Sequence, residues 1–314
     1  MVKIRRGARV RDVEYRGRAR PTGGGRGAGL PFPMPSSRGG KAGAGLGGAG
    51  LLGVIVVVVL SLLGGGGGGG GLGDALGAGG GTAGDDSGDR AEENFFLGAV
   101  FTDVQDYWEQ TLPGYRRSTL VIFLDNVETG GCGFATSATG PFYCPADETV
   151  YLDQSFFDVL AGPQFGAAGD FAQAYVIAHE VAHHVQTVTG VSGQVREAQA
   201  SASSQEEVNG LTIRLELQAD CLAGAWANVA SRRPASADVT LETGDIAEGI
   251  RAAEAVGDDR IQEAQGQRPT PHNWTHGSAD QRQSWFLLGV DTGDPERCEE
   301  TFDMSVDPTV ILPR

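Results

Sequence analysis

The chain has 314 residues, enough for one large or two small domains, but 50 of them are glycine and these cluster early, so the folding part is shorter than the chain. Of its 24 Lys/Arg and 40 Asp/Glu, residues 1–41 hold 11 and 2, leaving 13 and 38 for the remainder. So acidic a main body excludes nucleic acid as its partner, and only the short basic arm has the charge for one.

In chain order, residues 1–41 combine Arg, Gly, Pro and Ser with almost no hydrophobic periodicity, which predicts a basic disordered arm. Residues 42–63 form an uncharged run of 22, strongest over Leu51–Leu63. About 20 apolar residues suffice for a helix to cross a bilayer. Lys and Arg ahead of the run predict a single-pass transmembrane anchor, with the arm in the cytoplasm and the rest outside. That explains the basic charge without nucleic acid, so none is expected as a partner. A cleaved signal peptide would have a shorter charged region and an A-x-A site, and no clear one follows. Eight consecutive glycines, Gly64–Gly71, open a Gly-rich linker taken to residue 90.

The folded domain is expected over residues 91–302, with 303–314 as a C-terminal tail. Glu93–Leu112 carries Phe96, Val100, Val104 and Trp108 at helical spacing and stops at Pro113-Gly114. Ser118–Asp125 and Thr149–Asp153 read as strands around a turn-rich Asn126–Ala135, and Gln154–Gly162 as a short helix. Leu241–Val256 is an amphipathic helix broken at Gly257, and Ser278 caps a last helix running through Leu288.

Between these elements lies Gly169–Gln186, which contains His179-Glu180-Val181-Ala182-His183. No Gly or Pro interrupts Phe171–Thr189, and Gly190 marks a stop, so the stretch reads as a helix. Residues four apart share a helix face, so His179 and His183 can bind one Zn²⁺ while Glu180 faces a water. A hydrolytic site needs a third protein ligand and a partner that orients an imidazole. Downstream, Val208, Leu211, Leu215, Ala219, Leu222 and Trp226 recur at helical spacing, with Glu216 and Asp220 four apart beside that stripe. Glu216 is the expected third ligand and Asp220 the acceptor for the other N–H of His179. Glu206 and Glu207 are rival ligands, but neither has an acid four residues on.

His276, in Trp274-Thr-His-Gly277, sits just before a capped helix and is a candidate donor to a developing oxyanion; a packing role fits it equally well. His184, one step from His183, points about 100° away and is expected to bond away from the metal. Cys132, Cys144, Cys221 and Cys298 lack C-x-x-C spacing, which argues against a thiolate metal site. An even number outside the cytoplasm suggests two disulfides. Three pairings are open; Cys132–Cys144 would close a local loop and leave Cys221–Cys298.

H-E-V-A-H-H-V-Q followed by E-L-Q-A-D-C-L-A-G resembles the bacterial neutral zinc metallopeptidase family, membrane-associated zincins with a glutamate third ligand. Gly140-Pro-Phe-Tyr-Cys-Pro145, Gly169-Asp-Phe-Ala172, Thr275-His-Gly277 and Gln281-Arg282 are similar to other blocks of that family. The resemblance implies an α+β fold, with a zincin-like active-site helix on a small sheet, a mostly helical C-terminal half and one Zn²⁺ per chain. It also makes Glu148–Leu152 the edge strand along which a peptide would bind. The expected function is membrane-anchored endopeptidase action on a peptide or protein substrate. The alternative is an inactive, zinc-stabilised, membrane-tethered peptide-binding module.

Overall fold

The computed structural model describes residues 1–16 and 86–303. The expected span at 42–63, most of the linker and the tail from 304 lie outside the described residues. Among the described residues, no helix is long and apolar enough to cross a membrane.

The first correction concerns the arm, because residues 1–16 are not disordered. Strand β1 (Lys3–Ile4) pairs antiparallel with a short strand at Val239–Thr240, and β2 (Val13–Arg16) joins the main sheet. Charge explains the docking that composition hid. Lys3 pairs with Glu242, Arg5 and Arg9 with Asp238, and Arg9 and Arg11 with Asp106, so the basic arm neutralises part of the acidic body. Val2 and Ala8 are buried, so the contact also has an apolar part.

Helix α1 (Asp86–Thr111) starts inside the expected linker and buries Leu97, Val100, Phe101, Val104 and Trp108. Then follow β3 (Thr119–Phe123), the hairpin β4 (Asn126–Glu128) and β5 (Phe134–Thr136), β6 (Phe142–Cys144) and β7 (Thr149–Asp153). The four-stranded sheet has the order β2-β3-β7-β6, with β2, β3 and β7 parallel and β6 antiparallel to β7. All five residues of β7 are buried and both its edges are paired. The expectation that Glu148–Leu152 forms a free edge is therefore wrong, because β6 covers it.

Helix α2 (Ser155–Ala161) leads to the central helix α3 (Asp170–Val188). Asp170 in its first turn suits the positive end of the helix dipole, and Gly190, at φ 84°, takes the left-handed turn that ends it. From Phe171 to Gln186 nearly every residue of α3 is buried, so this helix is packed all round. The sequence stop at Gly190 holds, but a new helix, α4 (Val191–Ala200), follows at once.

Helix α5 (Gln205–Ser231) is capped by Ser204, whose hydroxyl accepts the Glu207 N–H. Strand β8 (Val239–Thr240) receives β1, and α6 (Asp245–Ala255) packs on α3. Gly257 breaks that helix, yet α7 (Asp258–Ala264) restarts it. Helix α8 (Ala279–Thr292) opens with a capping box between Ser278 and Gln281. It lies against α5 at backbone distance. A Cβ on Gly289 would stand 1.9 Å from the Cys221 carbonyl oxygen, and one on Gly224 would stand 2.1 Å from that of Phe286. Disulfides join Cys132 to Cys144 and Cys221 to Cys298, the second tying α5 to the C-terminal 3-10 turn at Pro295–Phe302.

Candidate metal centre

Helix α3 presents His179 and His183 one turn apart, and α5 crosses it so that Glu216 meets both. Glu216 Oε2 lies 3.2 Å from His179 Nε2, and Oε1 lies 3.5 Å from His183 Nε2. One donor atom from each of the three residues falls within 4.8 Å of the others, and all three side chains are buried. Two imidazoles and one carboxylate are the donor set of a catalytic zinc site.

Orphaned polar atoms test the fit. His183 Nε2 and both carboxylate oxygens of Glu180 are buried without a hydrogen-bond partner. Leaving such groups unsatisfied costs about 1–3 kcal/mol each, more when charged. They point to a cation and a water as their missing partners. Burial raises the pKa of Glu180, opposed by His183 and His179. Burial raises that of Glu216 too, but His183 and His179 outweigh it and hold this carboxyl well below its usual range.

The other ring nitrogens are fixed by a buried network. His179 Nδ1 donates to Asp220 Oδ1 at 2.7 Å. Tyr175, one turn before His179 on α3, donates its hydroxyl to the same oxygen at 2.5 Å. Arg282 of α8 grips Asp220 with two bonds, Nε to Oδ2 at 2.8 Å and Nη2 to Oδ1 at 2.9 Å. His183 Nδ1 donates to Gln186 Oε1 at 2.9 Å, and Gln186 in turn donates to the Leu215 carbonyl of α5. Both imidazoles thus have their tautomer set, leaving Nε2 toward Glu216.

His184 is turned away from the cluster. Its Nε2 donates to the Arg116 carbonyl at 2.6 Å, and its Nδ1 accepts from Tyr143. Glu206 and Glu207 lie exposed in the first turn of α5, far along the helix from Glu216. His276 is buried, and its Nδ1 donates to Asp258 Oδ1 at 3.1 Å. Asp258 Oδ2 also accepts the backbone N–H groups of Thr275, His276 and Gly277, clamping that loop. Burial lowers the pKa of His276, but Asp258 outweighs it and the net shift is upward, with Glu216 close enough to contribute.

Sequence reasoning missed Tyr175, Gln186, Arg282 and Asp258. Tyr175 and Gln186 stand four before His179 and three after His183, spacings that put them on the ligand face. Arg282 lay in a matched block but carried no role, since only the fold shows which acid neutralises it.

Fold and site together define a mixed α+β protein with a buried His-His-Glu centre able to hold a metal. The chain matches the family described as "Putative neutral zinc metallopeptidase" over residues 4–302, and it belongs to that family. The matched range takes in the N-terminal arm as well as the metal centre. It is similar to "Uncharacterized protein YpfJ" of Escherichia coli K12, 46% identical over 215 residues covering 67% of this chain and 72% of that protein. It is also similar to "Uncharacterized protein Rv2575" of Mycobacterium tuberculosis H37Rv, 47% identical over 207 residues covering 64% of this chain and 68% of the other. No solved structure matches.

Proposed function

We propose that this protein is a zinc-dependent endopeptidase of zincin-like architecture, attached to a membrane through residues 42–63. The observation that carries the reading is Glu180, a wholly buried carboxylate with neither oxygen partnered, set beside three converging ligands. A purely structural site closes all four positions with ligands, whereas three ligands and an adjacent base leave one for water.

His179, His183 and Glu216 would hold Zn²⁺, one per chain, which when bound supplies Lewis-acid polarisation of a carbonyl and a more acidic water. Glu180 takes a proton from the attacking water onto a carboxylate oxygen and delivers it to the leaving amine nitrogen. Burial of Glu180 raises its basicity against the opposing effect of His183 and His179. Asp220 holds His179 in its ligating tautomer, and Arg282 and Tyr175 hold Asp220. His276, oriented by Asp258, donates a hydrogen bond to the oxyanion that forms as the carbonyl is attacked. Peptide would lie along β6, the antiparallel edge of the sheet, by strand addition. Two disulfides suit an oxidising compartment, which supports a location of the catalytic domain outside the cytoplasm.

The test is metal content and cleavage of a casein-type substrate by the full chain in detergent. Stoichiometric zinc, activity abolished by a chelator and restored by zinc, is the expected result. A protein without bound metal, or cleavage indifferent to chelation, contradicts the reading.

A further inference from the structure

Strand β6 stands at the edge of its sheet, and its three side chains divide between the two faces. Phe142 and Cys144 lie in the apolar cluster on the hairpin side, with Val121, Phe123 and Val127, and Cys144 is bridged to Cys132 there. Tyr143 alone enters the main core, which it shares with Tyr175, Val176 and other residues of α3. Its hydroxyl lies 2.9 Å from His184 Nδ1, and both side chains are buried. Among the described residues, this is the one hydrogen bond between β6 side chains and the metal-bearing helix.

The imidazole that receives this bond is itself locked. The Arg116 carbonyl only accepts, so His184 Nε2, 2.6 Å from it, carries the ring proton. Nδ1 is then the acceptor and Tyr143 the donor, which commits the single phenolic proton to the helix. The rings of Tyr115 and Tyr143 meet the imidazole edge-on, with centroids 5.5 and 5.4 Å away. Arg116 also reaches the far end of the strand, since its Nη2 donates at 2.6 Å to Glu148 in the turn between β6 and β7.

His184 directly follows His183 on a helix packed all round, so its backbone does not shift without moving the metal centre. The Tyr143–His184 bond therefore gauges the strand against the metal. A peptide added to β6 takes its position from the strand's backbone. A reacting carbonyl misplaced by about 1 Å costs on the order of 10²-fold in rate. Without the bond, pairing with β7 still shapes the strand, but no side-chain hydrogen bond among the described residues fixes its height over α3.

We propose that Tyr143 and His184 are positioning residues, which align a peptide held on β6 with the metal centre. This rests on the reading of the protein as a zinc peptidase with β6 as its substrate strand. Neither side chain touches the scissile bond; both act through the strand. Loss of the Tyr143 hydroxyl leaves the peptide bound and sets its carbonyl out of line with Glu180 and the metal ligands.

The test uses the full chain in detergent with fluorescein-labelled casein. Tyr143→Phe keeps the ring and removes the hydroxyl, and it should retain stoichiometric zinc and KM while kcat falls about 10–10²-fold. His184→Gln offers an acceptor to Tyr143 and a donor to Arg116, so its kcat should lie well above that of Tyr143→Phe. In the Glu180→Gln background, adding Tyr143→Phe should leave the affinity for casein unchanged. Wild-type kcat per bound zinc in Tyr143→Phe overturns the proposal, as does a loss confined to KM, zinc content or casein affinity. A His184→Gln variant as slow as Tyr143→Phe also overturns it. Absence of chelator-sensitive cleavage by the wild-type chain is instead a failure of the peptidase reading, and the proposal falls with it.

Discussion

Arg282 and Asp220 form a bidentate ion pair in which neither side chain has any exposed surface, and Asp220 in turn accepts the Nδ1 proton of His179. A guanidinium two hydrogen bonds removed from the metal ligand therefore sets how that ligand is presented. Removing one partner of a buried pair strands the other charge, at a cost of about 3–5 kcal/mol. Arg282→Met is expected to lower unfolding stability by that order in denaturant titration. Zinc affinity, read by competition with a chromophoric chelator, should fall about 10–100-fold. A variant with wild-type zinc affinity would remove Arg282 from the site.

The approach of α8 to α5 that allows this pair depends on Gly289. A methyl group there would stand 1.9 Å from the Cys221 carbonyl oxygen, so the helices must separate. Gly289→Ala, which in an exposed helix would gain stability, should here lose about 1–3 kcal/mol or more. Thermal unfolding followed by circular dichroism checks the sign.

Asp258 makes a prediction about pH. Burial raises its pKa, but His276 and the backbone N–H groups of His276 and Thr275 outweigh that and hold it below the usual value. A carboxyl with a depressed folded pKa stabilises the fold above its unfolded pKa, near ~3.9, and loses that contribution as pH falls through the folded value. Asp258→Asn should therefore cost about 1–3 kcal/mol at neutral pH. The gap to wild type should narrow as pH drops below about 4. A gap that is constant with pH would show that charge is not what Asp258 contributes.

The Cys221–Cys298 bridge closes 77 residues of sequence between the metal-bearing helix and the C-terminal turn. Chain-entropy arguments give such a loop about 4 kcal/mol. Replacing both cysteines by alanine should lower stability by that order, while the Cys132–Cys144 bridge, spanning 12 residues, should matter less. Denaturant midpoints of the two double variants make the comparison.

Much of the centre was legible because helical spacing is local. His179, Glu180 and His183 lie within five residues, and Glu216 with Asp220 repeats the same four-residue step, so one period predicts both faces. Long-range pairings were not legible in that way. Nothing local says that Arg282 neutralises Asp220, or that Asp258 clamps the loop carrying His276. The arm misled for a related reason. Its Gly- and Arg-rich composition reads as disorder, whereas Lys3, Arg5, Arg9 and Arg11 find their acids more than 90 residues away. Strand β7 was legible as a strand but not as an interior one, since its neighbour β6 is only Phe142–Cys144 and lies beside the Cys132–Cys144 bridge.

The central claim is that Glu180 moves the proton while His179, His183 and Glu216 hold the metal. Glu180→Gln keeps the shape of the side chain and removes its basicity, so zinc content and peptide cleavage by the full chain should separate. Stoichiometric zinc with cleavage reduced about 10²–10⁴-fold is the expected outcome. Wild-type cleavage by the zinc-loaded variant would contradict the account.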